Sequence, residues 1–369
     1  MTGKSVLIAG GGTGGHMSPG IALYEEFRAR GIRAIFLCGM NDRRFSLLDE
    51  VTPEDRLFYG APSLTKNIFM LPIFALKFYF AMRAAGKMFR KYDIGAVIGM
   101  GGYVSAPALV AAKRRGIPLY LCEQNSVPGR VTGFFEKSCR KIYTTFEMTS
   151  LYLKCSEKIV QAGNPIRKKV FKTEPGINPK TAFHLGHEKN VILAIGGSQG
   201  AVKINDLVLG LMKKYPEEFK NIGIIWSTGS YSYDRFKEMI HSEIGEGSIY
   251  LSPFIDKVGL AYRACDIAIS RAGAGVMVEL AAMGVPSILM PYPHAAMNHQ
   301  DRNADEFEKY GAAVKIRDSD ASPEKIGAVL FGLLNNTRAL KKMSDKALAL
   351  AKPDAAAVIV NDILKDFQG

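Results

Sequence analysis

Glycines cluster between residues 10 and 15, directly after the apolar run at residues 5–9, and His16 ends the cluster. Glycine permits positive φ and lets backbone N–H groups approach an anion closely. A helix that begins near Pro19 would add the favourable dipole of its N-terminus. The cluster therefore predicts a phosphate-binding turn with an ionisable side chain beside it.

Two more glycine turns occupy the same place relative to an apolar run. Residues 99–103 follow the run that ends at Ile98, and residues 196–201 follow the run that ends at Ile195. Three such turns exceed the needs of one mononucleotide, and two of them lie in the first half of the chain. Their distribution predicts two phosphate-bearing ligands that meet across a cleft.

A dinucleotide-binding fold is the alternative for the first turn, because Gly10, Gly12 and Gly15 fit the pattern GxGxxG. That fold requires an acidic residue at the end of the second strand, where it holds a ribose. Here the second strand ends in Leu37 and Cys38 before Gly39. The missing carboxylate disfavours a nicotinamide-dependent oxidoreductase, which stays open as an alternative.

Apolar runs typical of buried strands alternate with helical patterns along the whole chain. In the first half they lie at residues 5–9, 33–38, 96–98 and 119–121. In the second half they lie at residues 191–195, 223–226, 249–251, 267–269, 287–290 and 313–316. This alternation predicts parallel sheets covered by helices, in two doubly wound α/β halves.

The length of 369 residues also favours two domains, each with its own core. Residues 163–165 and the polar stretch 172–180 are typical of a connection, which places the boundary near Arg167. A last helix over residues 354–367 follows Pro353 and is able to return to either half. The five cysteines form no CxxC pair, which disfavours a metal site or disulfide framework, and the N-terminus lacks the pattern of an export signal.

The positive charge lies mostly in the first half. Residues 1–165 carry 22 Lys and Arg against 12 Asp and Glu, so +10 of the formal charge of +13 belongs to them. No nucleic-acid motif accompanies this charge, which leaves an anionic membrane surface as the favoured partner and predicts no nucleic acid.

Residues 67–91 combine aromatic and aliphatic side chains with bracketing cations such as Lys77, Arg83 and Arg90. Since Pro72 and Lys77 interrupt the apolar run, we expect it to be too short to span a bilayer, which takes about 20 apolar residues. The pattern favours an interfacial patch with cationic anchors. A core helix is the alternative, and the two descriptions are compatible on opposite faces.

Seven segments, taken in chain order, resemble the MurG family of N-acetylglucosaminyltransferases. They are GGGTGGH from Gly10, GMGGY from Gly99, EQN from Glu123, GNPIR from Gly163, GGSQGA from Gly196, SRAGA from Ser270 with Glu279, and HQDRNA from His299. The ordered set covers nearly the whole chain. The resemblance implies transfer of N-acetylglucosamine from UDP-N-acetylglucosamine, with inversion, to undecaprenyl-diphosphate-N-acetylmuramyl-pentapeptide (lipid I), which gives lipid II for peptidoglycan.

The resemblance also implies the GT-B fold, two Rossmann-like α/β domains that face each other across a cleft. Residues 1–166 would bind the acceptor and the membrane, and residues 167–352 would bind the UDP-sugar. Residues 353–369 would form a helix that packs back on the first domain. It implies a peripheral enzyme at the cytoplasmic face of the inner membrane, with cell-wall synthesis and division proteins as partners.

Site residues carried over from the resemblance fall into two groups. The acceptor diphosphate is assigned to Gly12, Gly14, Gly15, Gly101, Gly102 and Tyr103. UDP-N-acetylglucosamine is assigned to Thr13, Gly14, Gly15, Asn125, Arg167, Ser198, Ile255, Ala274, Gly275, Val276, Glu279 and Gln300. Family members often carry a hydroxyl residue where this chain has Gly275, Val276 and Met277, so phosphate contact there would rely on backbone N–H groups.

The implied chemistry needs a base for the acceptor hydroxyl and donors for the UDP leaving group. His16 is our first candidate for the base and Glu123 the second. We expect no protein-bound metal and no cofactor, because Asp318 and Asp320 follow a late strand far from the motifs; a divalent ion on the UDP diphosphate stays possible. A UDP-sugar epimerase of the same fold is a further alternative, which would need no acceptor.

Overall fold

In this computed structural model the chain forms two compact units, one of Met1–Lys168 with Lys352–Gly369 and one of Lys169–Ala351. The structure describes residues 3–63, 67–173, 175–197, 200–244 and 247–366. Arg167, which we expected at the start of the second domain, belongs to the first unit.

Thirteen strands lie within the described residues. They are β1 Ser5–Ala9, β2 Ala34–Gly39, β3 Arg56–Tyr59, β4 Ile94–Gly99, β5 Leu119–Glu123, β6 Lys141–Thr144, β7 Ile159–Val160, β8 Asn190–Ile195, β9 Ile222–Ser227, β10 Ile249–Ser252, β11 Ile267–Ser270, β12 Ser287–Leu289 and β13 Ala313–Lys315. The sequence patterns located ten of them and missed β3, β6 and β7, which are short.

The α-helices of the described residues alternate with these strands. They are α1 Gly14–Ala29, α2 Leu71–Lys91, α3 Gly102–Lys113, α4 Arg130–Phe135, α5 Lys168–Phe171, α6 Val202–Lys214, α7 Pro216–Phe219, α8 Tyr233–Glu243, α9 Val258–Ala264, α10 Ala274–Ala282, α11 His299–Lys309, α12 Pro323–Leu334, α13 Thr337–Leu350 and α14 Ala355–Lys365.

Each unit contains one parallel sheet. The first has the order β3-β2-β1-β4-β5-β6-β7 and the second the order β10-β9-β8-β11-β12-β13. The order reverses between β1 and β4 in one sheet and between β8 and β11 in the other. Ligands of doubly wound folds bind beyond the carboxyl ends of the strands at such a reversal. The glycine turns after β1, β4 and β8 therefore lie where this rule places a ligand.

Both faces of the first sheet are buried, which explains the continuous apolar runs of its strands. Along β1, Val6 and Ile8 belong to one core and Leu7 and Ala9 to the other. The last helix, α14, adds Ile359 and Ile363 to the first of these cores. Its Asp362 accepts hydrogen bonds from Tyr143 Oη at 3.0 Å and Lys141 Nζ at 2.8 Å. The end of the chain is thereby tied to the first unit.

Helix α1 begins at Gly14, so our expectation of a start near Pro19 is wrong. Gly14 and Gly15 form its first turn, and Pro19 lies inside the helix. The first N–H groups of a helix have no intrahelical acceptor, so glycines are tolerated at this end. The consequence is that the glycine cluster and the helix N-terminus are one feature.

Helix α2 differs along its length. Phe69, just before it, and Leu76 are 86% and 57% exposed, whereas Ala81, Ala85 and Phe89 are buried in a core of the first unit. Its N-terminal half therefore has an apolar surface without a partner among the described residues, and its C-terminal half is a core helix.

The helical segment Ile68–Lys91 spans 24 residues with a mean hydropathy of 1.5, long and apolar enough by length and composition to cross a membrane. Core helices of soluble proteins pass the same test, so this is weak evidence of a crossing. Our expectation that the segment is too short was wrong, because Pro72 lies in the first turn, where it does not interrupt the helix.

Candidate active site

The turn after β1 is held in place by packing. A side chain on Gly10 would place its Cβ 2.8 Å from Met100 Cβ, and one on Gly11 would place it 2.1 Å from Asp42 Oδ2. The N–H groups of Gly14 and Gly15 have no hydrogen-bond acceptor among the described residues, since they open helix α1. These two N–H groups can bind an anion.

Asp42 is a site residue that the sequence analysis missed. Its Oδ1 accepts from Gly12 N–H at 2.9 Å and its Oδ2 from Gly39 N–H at 2.8 Å, and its side chain is buried. The Gly12 N–H already donates to Asp42 and cannot also donate to a phosphate, which corrects the assignment of Gly12 to the acceptor diphosphate. The sequence did hold a signal that could have found Asp42. A dinucleotide-binding fold needs an acidic residue after its second strand, and Asp42 follows Gly39 closely. Turned inward with both oxygens engaged, Asp42 cannot hold a ribose.

We expect Asp42→Asn to loosen the glycine turn, because an amide has one acceptor oxygen and Asp42 accepts two backbone N–H groups. Losing one buried hydrogen bond to a charged group costs about 1.5–3 kcal/mol. The measurement is thermal unfolding together with the KM for the acceptor, and we expect a lower Tm and a higher acceptor KM. Asp49→Asn is the matched control, since that exposed carboxylate pairs with Arg56 away from the turn. Equal effects of the two changes would contradict this role.

His16 lies where the two glycine turns of the first unit meet. A Cβ on Gly101 would lie 3.1 Å from His16 Cε1, and one on Gly102 would lie 3.1 Å from His16 Cδ2. Both glycines have positive φ, +86° and +69°. The absence of side chains there lets the imidazole pack directly on the second turn.

Gln124 sets the tautomer of His16. The Gln124 Nε2 donates to the Cys122 carbonyl at 2.9 Å, which turns its Oε1 toward His16 Nδ1 at 3.0 Å. Because a carboxamide oxygen only accepts, Nδ1 carries the proton and Nε2 keeps its lone pair. His16 is therefore oriented to accept a proton through Nε2.

Glu123, the second candidate for the base, has its oxygens engaged. Its Oε1 accepts from Asn125 N–H at 3.1 Å, and its Oε2 accepts from Gly129 N–H at 2.9 Å and Thr132 Oγ1 at 2.6 Å. The side chain is buried. Glu123 therefore holds the loop after β5 in place through these hydrogen bonds. Since both of its oxygens are engaged, the geometry favours His16 over Glu123 as the base.

Of the other predicted residues in the first unit, Tyr103 is exposed beside the glycine turn, and Asn125 accepts at its backbone carbonyl from Thr149 Oγ1. Arg167 is buried, donating from Nε to Ser18 Oγ at 3.0 Å and from an Nη to Glu50 Oε1 at 2.6 Å. Its guanidinium is thus bound to helix α1 and the residues before β3.

Two thiols lie near these turns and both are inert. Burial raises the pKa of the Cys122 thiol well above its usual range. Burial, aided by the negative charge of Asp42, does the same to the pKa of Cys38. Neutral thiols are poor nucleophiles, so neither favours covalent catalysis.

In the second unit, the glycine turn after β8 is fixed by close approach of backbone. A Cβ on Gly196 would lie 2.2 Å from Ala201 N, and one on Gly200 would lie 2.1 Å from the Thr228 carbonyl oxygen. Ser198, the residue assigned to the donor phosphate, lies outside the described residues.

Helix α10 opens directly after β11 with Ala274 and Gly275. No atom lies within 4 Å of a Cβ on Gly275, so the space beside the helix start is open among the described residues. Met277 is fully buried, so its side chain is part of the core and does not face a ligand. Of the three positions that depart from the family pattern, Gly275 and Val276 are the two that are only half-buried.

Glu279 lies one turn further along α10. Its side chain is buried, and Oε2 accepts from Tyr262 Oη at 2.7 Å. Ile255 is buried after β10, and Gln300 at the start of α11 accepts from Tyr292 N–H at 2.9 Å. These three residues, all predicted to bind UDP-N-acetylglucosamine, follow the carboxyl ends of parallel strands.

Asp318 corrects another expectation, because it lies next to a motif. Its carboxylate pairs with the Arg271 guanidinium, with Oδ2 at 3.0 Å from one Nη. Arg271 also donates to the carbonyls of Met290 and Pro291. Since β11, β12 and β13 are adjacent and parallel, the residues after them meet at one edge, far apart though they are in sequence.

No group of three or more His, Cys, Asp or Glu side chains in the described part of the chain could hold a metal ion. The expectation of no cofactor stays a prediction.

Residues 6–144 match the glycosyltransferase family 28 N-terminal domain, and residues 191–359 match the glycosyltransferase family 28 C-terminal domain. The UDP-N-acetylglucosamine--N-acetylmuramyl-(pentapeptide) pyrophosphoryl-undecaprenol N-acetylglucosamine transferase of Desulforamulus reducens is 33% identical over 97% of this chain and 98% of its own. The protein of the same name from Bacillus subtilis is 30% identical over 95% of this chain and 96% of its own.

Among solved structures, Acinetobacter baumannii MurG superposes with a TM-score of 0.75 at 26% identity, covering 98% of this chain and 99% of that one. A UDP-N-acetylglucosamine 2-epimerase superposes with a TM-score of 0.71, covering 99% of this chain and 97% of that one. Its identity of 13% shows a shared fold and nothing more.

Proposed function

This chain belongs to the MurG family of glycosyltransferases, and from that membership we infer that it transfers N-acetylglucosamine from UDP-N-acetylglucosamine to lipid I, giving lipid II. Its two parallel-sheet domains have the GT-B fold. The observation that carries the inference is identity of 33% over 97% of the chain to a relative with that transferase name. The His16 geometry adds chemical support.

We propose that His16 Nε2 takes the proton from the attacking hydroxyl of the acceptor. The new bond between that oxygen and the anomeric carbon forms as the bond to the UDP oxygen breaks, so the configuration inverts. Gln124 Oε1 accepts from Nδ1–H and stabilises the imidazolium that results. The free N–H groups of Gly14 and Gly15 lie beside His16 on the same helix, where they suit the acceptor diphosphate.

For the donor, we propose that the N–H groups at the start of α10 bind the UDP diphosphate. Anions are stabilised at a helix N-terminus by these unpaired N–H groups and the helix dipole. Glu279, held by Tyr262, is then placed to accept the ribose hydroxyls. Gln300 offers an amide to the sugar.

Release of UDP tests the reaction class. We expect UDP to form from UDP-N-acetylglucosamine when a lipid-diphosphate acceptor is added, and to stay at background without it. A change of the sugar without acceptor would instead show an epimerase. Binding of NADH with hydride transfer would show an oxidoreductase, and either outcome would overturn the proposal.

We also propose that the enzyme is peripheral at the cytoplasmic face of an anionic membrane. The exposed apolar side chains at the start of α2 provide the hydrophobic contact. Further along α2, a pocket of about 510 Å³ is lined by five cations, Arg83, Lys87 and Arg90 from α2 and Arg114 and Arg115 from just after the end of α3. No carboxylate pairs with these five among the described residues, which leaves their charge for lipid phosphates. Recruitment by cell-wall synthesis or division proteins stays a prediction.

We expect Arg83→Ala combined with Arg90→Ala to lower partition onto anionic vesicles about tenfold or more, since each basic residue near the surface contributes about 1 kcal/mol. Sedimentation with vesicles measures it, with neutral vesicles and high salt as comparisons. Arg338→Ala combined with Lys342→Ala removes two exposed charges from the second unit and serves as the control. An equal loss for both pairs would contradict a local membrane site.

A further inference from the structure

The N-terminal half of α2 forms one wall of a groove in the first unit, with a volume of about 620 Å³. This is within the roughly 300–1,000 Å³ range of small-molecule sites. The end of β2 with the two residues after it, at 39–41, and the loop after β3, at 60–63, form the other wall. Two of these seven positions are glycines, and Met40, Ala61 and Pro62 add apolar side chains to this wall.

The wall from α2 is apolar with one cation. Ile73, Phe74 and Phe80 line the groove, and Lys77 is the one charged side chain among the described residues that do so. No carboxylate pairs with Lys77 in the described part of the chain. A ligand that fits this lining is an apolar chain joined to an anion.

The groove opens at the glycine turn of the candidate active site. Tyr103 lines the groove at that end, and a Cβ on Gly12 would lie 3.3 Å from Tyr103 Cε1, so the ring lies against the turn. At the other end Met70 lines the groove, and its neighbour Phe69 is 86% exposed. The groove thus connects the proposed diphosphate site with the apolar surface of α2.

We infer that this groove holds the isoprenoid units of the acceptor nearest its diphosphate, and that Lys77 neutralises part of the diphosphate charge. The inference rests on the proposed function, which supplies a polyprenyl diphosphate as the acceptor. It assigns Ile73, Phe74 and Phe80 to one ligand segment, apart from the membrane contact of Ile68, Phe69 and Leu76. The enzyme would accordingly recognise the first part of the lipid itself.

Isothermal titration of the full chain with farnesyl diphosphate and with inorganic diphosphate tests this, in buffer without vesicles. We expect the wild-type protein to bind farnesyl diphosphate at least about tenfold more tightly, because the groove buries the prenyl chain. Ile73→Ala combined with Phe80→Ala should remove most of that preference and leave the affinity for inorganic diphosphate. Lys77→Ala should weaken both probes by a similar factor.

The matched control is Phe69→Ala combined with Leu76→Ala, which removes exposed apolar area from the same segment outside the groove. We expect this pair to keep the wild-type ratio of the two affinities. Equal affinity of the wild-type protein for both probes, or an equal loss of preference in both double variants, would overturn the groove assignment. The transfer assay decides the proposed function separately, so the two failures are distinguishable.

Discussion

His16→Ala should lower kcat by about 10²–10⁴, the range for loss of a general base, while UDP still binds with wild-type affinity. The reason is local, because the ring contributes Nε2 to proton transfer and is held by Gln124 and by packing on Gly101 and Gly102. Initial rates with saturating donor and acceptor, together with UDP titration, measure the two effects. His187→Ala, an exposed histidine of the second unit, is the control.

The pH profile gives a second test of the same role. If His16 is the base, the acidic limb of kcat should vanish in His16→Ala, because that limb reports protonation of the base. Gln124→Leu should lower kcat less than His16→Ala does, since it removes the acceptor that selects the Nδ1–H tautomer and leaves the imidazole in place. Unchanged turnover of His16→Ala would exclude it from catalysis and leave the base unassigned.

Glu279→Ala should raise the KM for UDP-N-acetylglucosamine by roughly tenfold to a hundredfold. The reason is the loss of hydrogen bonds from the ribose hydroxyls to the charged carboxylate, worth about 1.5–3 kcal/mol. The acceptor KM should stay at its wild-type value, since the acceptor residues belong to the first unit. Glu279→Gln should fall between, because one of the two oxygens becomes a donor group.

Tyr262→Phe is the control for this prediction. It removes the hydroxyl that donates to Glu279 Oε2 at 2.7 Å and keeps the ring in place. If Glu279 binds the donor, Tyr262→Phe should raise the donor KM less than Glu279→Ala does. A wild-type donor KM in a folded Glu279→Ala protein would show that this carboxylate only supports the packing of α9 on α10.

Together these two predictions separate the halves of the enzyme. A change in kcat with intact UDP binding assigns chemistry to the turn after β1, and a change in donor KM assigns nucleotide recognition to helix α10. An NAD-dependent enzyme is inconsistent with the position of Asp42, whose oxygens accept Gly12 N–H and Gly39 N–H. The ribose carboxylate that such an enzyme needs is missing there.

Local sequence was sufficient to predict the positions of the strands at the centres of the two sheets. A strand buried on both faces requires a continuous apolar run, and β1, β4, β8 and β11 have one. The three missed strands are β3, β6 and β7. The first two begin with the cations Arg56 and Lys141, and β7 has two residues, so none of them shows the continuous apolar run of a central strand.

Local patterns of residues were enough to predict the two-domain α/β fold, the glycine turns and the ordered motifs of the family, because each depends on residues close together in the chain. The folded chain was needed to show that Asp42 holds Gly12, that Asp318 pairs with Arg271, and that Gln124 selects the tautomer of His16. These partners are 30, 47 and 108 residues apart. Sheet order and register bring them together, and no local pattern of residues encodes either.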